Sequence, residues 1–210
     1  MVETGLAPSR GLSPVNVTPD AVRRVSTVHA GVMTLYKKTY RVESARSSRW
    51  DYRLPGWYFV TICTEGHTCY FGEIAEAEMH LSRAGQIAHS GLLDLSKHYS
   101  NVKLDVFIVM PNHIHAIIML EGAHCYSPDE NIQNAGLTSI SLGNVVGSCK
   151  AGVTRECREA GIPIVWQPRF YDHILRSQSS LAAVRAYIRN NPADWSRDPE
   201  NTVEAFSIRR

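Results

Sequence analysis

His113 and His115 stand two apart in the run His113 to Leu120 (HIHAIIML), which is otherwise apolar. On a strand the side chains alternate faces, so both imidazoles project from one face while Ile114 points the other way, into the core. Two nitrogen ligands side by side on a rigid element suit a divalent metal. The same spacing also arises with plain surface or core histidines, so the pair by itself leaves both readings open. Its position directly after the Pro111-Asn112 turn puts it at the mouth of a strand, where a substrate can reach. Further along, Tyr187 and Asn191 are four apart and share one helix face. A tyrosine hydroxyl is a feasible covalent nucleophile for a phosphodiester once a metal polarises the phosphate. The asparagine amide oxygen can act as a third ligand. Taken alone, a tyrosine packed on a sheet and an asparagine capping a helix C-terminus explain these two residues more simply.

These residues need elements to hold them. Trp57 to Thr64 is β-branched and aromatic and predicts a strand. Residues 82–98 place Ala84, Ile87, Ala88, Leu92, Leu93 and Leu95 near helical spacing, with Ser82 as N-cap. Val102 to Met110 predicts a second strand, Pro111-Asn112 a turn, and His113 to Leu120 a third, central strand, since its apolar run is nearly continuous. Residues 121–138 read as a polar loop. Ser141 to Ala160 predicts a helix, Pro168 to Arg176 a fourth strand, and Ser179 to Asn190 a last helix stopped by Pro192. The order β-α-β-β-α-β-α, without its last helix, is an α+β, ferredoxin-like split βαβ arrangement: an antiparallel sheet with helices on one face.

The bulk properties fit one folded domain with extensions. The chain has 210 residues, 44% hydrophobic and 20% charged, with a net charge of +2, too small to mark a nucleic-acid protein by itself. Cys63, Cys69, Cys125, Cys149 and Cys157 are odd in number with no CxxC spacing, which argues against a disulfide framework and a structural zinc site. Neither a membrane span nor a signal peptide is evident, so a cytoplasmic location is expected. Residues 1–32 read as a disordered tail, with either Met1 or Met33 as the expected start of translation. Residues 33–53 form a basic, aromatic arm: Lys37, Lys38, Arg41, Arg46, Arg49 and Arg53 are interleaved with Tyr36, Tyr40, Trp50 and Tyr52. Such an arm either grips phosphates and stacks bases or is a solvated lead-in to the first strand.

Three segments in order carry a family resemblance. Val109 to Ile117 (VMPNHIHAI) resembles the HUH motif; Trp166 to Arg176 (WQPRFYDHILR) resembles the segment before the nucleophile helix of REP-associated tyrosine transposases; Tyr187 to Pro192 (YIRNNP) resembles their tyrosine motif. The chain is thereby similar to IS200-like single-tyrosine HUH transposases, closest to the REP-associated branch, over roughly Tyr52 to Trp195. The resemblance implies that residues 54–197 form the transposase domain, with a C-terminal tail at 198–210 and the last helix as the catalytic one. It implies that His113, His115 and Asn191 bind Mg²⁺ or Mn²⁺ and that Tyr187 is the nucleophile. Zinc fits less well, because no third His or Cys sits at suitable spacing.

The implied activity is cleavage and strand transfer of single-stranded DNA at hairpin-flanked, palindromic sites, through a 5′-phosphotyrosine intermediate, in DNA transposition. The REP-associated branch implies a monomer, against the homodimer of classical IS200 enzymes. Arg169, Tyr171, His173 and Arg176 are further candidate DNA contacts, with Tyr171 and His173 expected on alternate faces of the fourth strand. His173 also has the ordinary reading of a satisfied strand histidine. His67, His80, His89, His98 and His124 are assigned no function. Two alternatives remain: a relaxase or replication-initiator-like nickase, and a domesticated, non-catalytic protein that binds hairpin DNA.

Overall fold

The computed structural model describes residues 34–36, 40–42, 50–122, 138, 140–198 and 200–201. Two short strands, β1 (Thr34–Tyr36) and β2 (Tyr40–Val42), pair antiparallel within the arm. The body follows: β3 (Gly56–Cys63), a hairpin of β4 (Gly72–Ala75) and β5 (Glu78–Leu81), helices α1 (Arg83–Leu93) and α2 (Leu95–His98), β6 (Val102–Val109), β7 (His113–Leu120), α3 (Leu142–Glu159), β8 (Tyr171–Leu175) and α4 (Gln178–Asn190). Among the described residues no helix is long and apolar enough to cross a membrane.

The main sheet has the order β6-β7-β3-β8, with every neighbour antiparallel. This is the expected ferredoxin-like arrangement. All eight residues of β7 are buried, as its unbroken apolar run requires at a central position. Tyr58, Val60 and Ile62 of β3 join Ile114, Ala116, Ile118 and Leu120 of β7 in one core, covered by Ile87, Ala88 and Leu92 of α1 and Leu142, Val145, Val146 and Val153 of α3. Each buried Val, Leu or Ile among them contributes about 1.5–3 kcal/mol. The opposite face carries Phe59 and Ile117, and α4 lays Leu181, Val184 and Ile188 upon them. Helices α1, α2 and α3 thus cover one face, and among the described residues α4 covers the other.

Local chemistry sets the ends of these elements. Ser82, Ser141 and Ser177 each cap a helix by accepting from the backbone N–H three residues on. At α4 the Ser180 hydroxyl returns a bond to the Ser177 backbone, completing a capping box. Gly85 lets α1 start flush against the preceding strand region, because a Cβ there would meet the Phe71 carbonyl oxygen at 2.1 Å. An Arg185–Asp105 ion pair at 2.6 Å ties α4 to β6.

The structure corrects three local expectations. The helix expected over 82–98 breaks at Asp94 into α1 and α2. The fourth strand begins at Tyr171, not Pro168: proline has no N–H for the ladder, and Arg169 sits at φ 70°, outside the extended region. Tyr171 and His173 lie on the same face, opposite Thr61 and Phe59 respectively, because residues two apart on a strand share a face. The tail at 1–32, Lys37, Lys38, Arg46, Arg49 and most of the loop at 121–138 lie outside the described residues. Arg41 falls in β2, of whose side chains nothing is described.

Candidate metal and nucleophile centre

The α4-side face of the sheet is apolar at one end and polar at the other. Cross-strand pairs set the rows: Cys63 opposite His113, then Ile108, His115, Thr61 and Tyr171 across all four strands, then Ile117, Phe59 and His173. The two imidazoles stand with ring centroids 4.3 Å apart, inclined at 63°. α4 crosses this face and delivers Tyr187, whose ring packs edge-on against Phe59 and whose hydroxyl lies 3.3 Å from His115 Nε2. One turn on, Asn191 caps the helix before Pro192. The four residues singled out by spacing, His113, His115, Tyr187 and Asn191, are therefore brought together.

The chain then turns back through a short helical turn at Trp195–Arg197 and adds residues the sequence did not single out. Trp195 stacks on His113, with centroids 6.0 Å apart and planes at 29°. Asp198 accepts a bond of 2.6 Å from Asn191 Nδ2. The ligating atoms of His113, His115 and Asp198 all lie within 4.8 Å of one another. His113 is 0% exposed, Asn191 1%, His115 3% and Asp198 7%.

Two buried atoms in this centre have no hydrogen-bond partner: His113 Nε2 and Asn191 Oδ1. An unpaired buried polar atom costs about 1–3 kcal/mol. Both are lone-pair donors, and they converge beside the Asp198 carboxylate. Two imidazole nitrogens, an amide oxygen and a carboxylate fit a divalent cation with mixed nitrogen and oxygen preference.

The electrostatics agree. Burial pushes His113 down to about 4, opposed by the charge of Asp198 and helped by that of His67. Burial, with the neighbouring His113 charge, holds His115 well below its ordinary value. Both rings are thus neutral, the form that ligates. The Tyr187 phenol is pushed up by burial and by the charges of Asp198 and Glu200. Without a cation the tyrosine is held protonated; a cation held by these residues would oppose that shift.

The candidate DNA contacts are spread more widely. Tyr171 is 51% exposed, in the cross-strand row of His115. Arg169 is exposed in its left-handed turn, where its carbonyl and that of Gln167 accept from Lys150 Nζ. Arg176 is exposed, its guanidinium 5.1 Å from the Trp50 ring centroid. His173 is half-buried opposite Phe59. Arg53 is exposed and paired bidentately with Asp51, at 2.8 and 3.1 Å. Of the histidines given no function, His67 pairs with Glu200 at 3.4 Å, bordering the centre.

No family model matches the chain. An uncharacterized protein of Haemophilus influenzae is 34% identical over 163 residues, spanning 74% of this chain and 90% of that protein. Among solved structures, that of a REP-associated tyrosine transposase bound to a REP hairpin matches with a TM-score of 0.51 at 19% identity, covering 78% of this chain and 86% of that one. The resemblance read from the three sequence segments therefore holds at the level of fold.

Proposed function

The chain belongs to the family of that Haemophilus influenzae protein and has the fold of a REP-associated tyrosine transposase, and from these premises we propose that it is a metal-dependent, single-tyrosine DNA strand transferase. The observation that carries this reading is the pair of unpartnered buried lone pairs, His113 Nε2 and Asn191 Oδ1, in the centre where the Tyr187 hydroxyl meets His115 Nε2. Such atoms are few in a packed core, and two of them meeting in one centre call for a ligand.

In this reading His113, His115, Asn191 and Asp198 hold Mg²⁺ or Mn²⁺. When bound, the cation polarises a non-bridging oxygen of the scissile phosphate and offsets its charge. Tyr187 Oη attacks phosphorus; the Oη–P bond forms, the P–O3′ bond breaks, and the 3′ oxygen leaves to become a hydroxyl. The tyrosine proton has a nearby anionic acceptor in Asp198, whose charge acts on the phenol. α4 fixes the line of attack, since Leu181, Val184 and Ile188 lock it to the sheet. Rejoining is the reverse displacement by a second 3′-hydroxyl, so no nucleotide energy source enters.

The substrate in this reading is single-stranded DNA with hairpin repeats, since the related solved transposase is bound to a REP hairpin. Tyr171, in the same row as His115, would stack a base near the cleaved linkage; Arg169, Arg176 and the arm residues Lys37, Lys38, Arg41, Arg46, Arg49 and Arg53 would take phosphates. End-labelled hairpin DNA with a single-stranded flank tests the proposal. The wild-type chain should give a covalent adduct in Mn²⁺ and none in chelator, while Tyr187→Phe should still shift the DNA without cutting it. Cutting by Tyr187→Phe at the wild-type rate would remove Tyr187 from the chemistry.

A further inference from the structure

Asn112 precedes the histidine pair in the turn between β6 and β7 and is 0% exposed. Its side chain makes three hydrogen bonds, to three different parts of the chain. Nδ2 donates to the carbonyl oxygen of His67 at 3.3 Å and to that of Glu200 at 2.8 Å. Oδ1 lies 2.9 Å from His113 Nδ1. The Asn112 carbonyl is itself held by the backbone N–H and the hydroxyl of Thr64, both at 2.9 Å.

These partners fix the direction of every bond. A carbonyl oxygen only accepts, so two carbonyls facing one end of the amide force its nitrogen to that end. The other end is then oxygen, which also only accepts. His113 Nδ1 must therefore carry the proton, and in a neutral imidazole that leaves Nε2 with a bare lone pair. Nε2 is the atom that stands unpartnered in the centre. His115 differs: its Nδ1 meets the Thr61 hydroxyl at 3.0 Å, and a hydroxyl both donates and accepts, so that contact dictates no tautomer.

We propose that Asn112 is a positioning residue that sets the tautomer of His113 for metal binding and, through its amide nitrogen, docks the segment carrying Asp198 onto the centre. The second half follows from connectivity. Glu200, whose carbonyl Asn112 holds, donates its backbone N–H to Asp198 Oδ1 at 2.8 Å. One amide thus spans the orientation of one ligand and the anchorage of another. The proposal rests on reading His113 and Asp198 as metal ligands.

The test uses the full chain with Mn²⁺ as probe. In metal-free wild type, ¹⁵N–¹H correlation spectra of labelled histidine should show His113 protonated at Nδ1. Asn112→Ala should weaken Mn²⁺ binding by about 10–100-fold, the usual effect of removing an outer partner of a ligand. Asn112→Asp keeps the acceptor for His113 but removes both amide donors: it should bind Mn²⁺ more weakly than wild type yet more tightly than Asn112→Ala, while the amides of Glu200 and Asn201 exchange with solvent about tenfold faster. A His113 protonated at Nε2, or Asn112→Ala binding Mn²⁺ as wild type does, overturns the proposal. If Asn112→Ala does not fold, the wild-type tautomer and the Asn112→Asp pair of readings still decide it. A wild type that takes up no Mn²⁺ removes the metal reading of the centre, a different result from normal uptake that is insensitive to Asn112.

Discussion

Strand β7 presents opposite kinds of side chain on its two faces. Toward α1 and α3 it sets Ile114, Ala116, Ile118 and Leu120, each at most 1% exposed and packed among apolar neighbours. Toward α4 it sets His113 and His115, equally buried, then Ile117 and Met119. Burial on the first face stabilises the fold. At the histidine end of the second it leaves two lone pairs without partners and depresses two imidazole pKa values. In the proposed reading that end holds a cation, and the apolar remainder of the face, under Leu181, Val184 and Ile188, anchors the helix that carries Tyr187.

Substitutions on the two faces should therefore separate stability from chemistry. The largest effect is expected at His115→Ala, which should abolish cleavage of labelled hairpin DNA while shifting urea unfolding little in metal-free buffer. Ile114→Ala, one residue away on the other face, should lower stability by about 2–5 kcal/mol while leaving Mn²⁺ affinity within a few-fold. Equal stability losses from the two variants would erase the distinction between the faces.

Acid should attack the second face first. The fold holds His113 neutral, with its pKa lowered to about 4 mainly by burial. Its contribution is complete above the ordinary imidazole value of about 6.5 and is lost as pH falls from there toward 4. Metal-free wild type should thus lose on the order of a few kcal/mol over that window. His113→Leu should flatten this part of the pH dependence, and Ile114→Val should not. Parallel pH curves for wild type and His113→Leu would contradict the assignment.

Much of this contrast was legible in the sequence, for a physical reason. The run from His113 to Leu120 is so apolar that its boundaries matched, and period two placed the histidines on one face and Ile114 on the other. Helical spacing likewise joined Tyr187 to Asn191. What escaped depends on contacts without sequence periodicity. Gly72 to Leu81 folds as a hairpin although no residue of β4 or β5 is fully buried, so no hydrophobic pattern announces it. Asp198 and Glu200 reach the centre through hydrogen bonds to Asn191 and Asn112, partners up to 88 positions away. Asn112 was visible only as a turn residue, since its role arises from three carbonyl and imidazole partners that the fold assembles.

The smallest effect is expected at the surface. Arg176→Ala removes an exposed charge that stacks on Trp50. It should weaken hairpin binding by a few-fold and reduce the salt slope of binding by about one, with adduct formation at saturating DNA unchanged. An unchanged slope would take Arg176 off the DNA path.

The central claim, that the polar end of the β7 face is built for a divalent cation, is tested most directly by thermal unfolding of the full chain with and without Mn²⁺. A cation that binds only the folded state at a hundredfold excess over its Kd adds about 2.7 kcal/mol. For a chain of this length that is a rise in Tm of about 5–10 °C. The account predicts that rise for wild type and Tyr187→Phe, and its absence for His113→Ala and for His115→Ala. An unchanged Tm for wild type at saturating Mn²⁺, or an equal rise in both histidine variants, would contradict it.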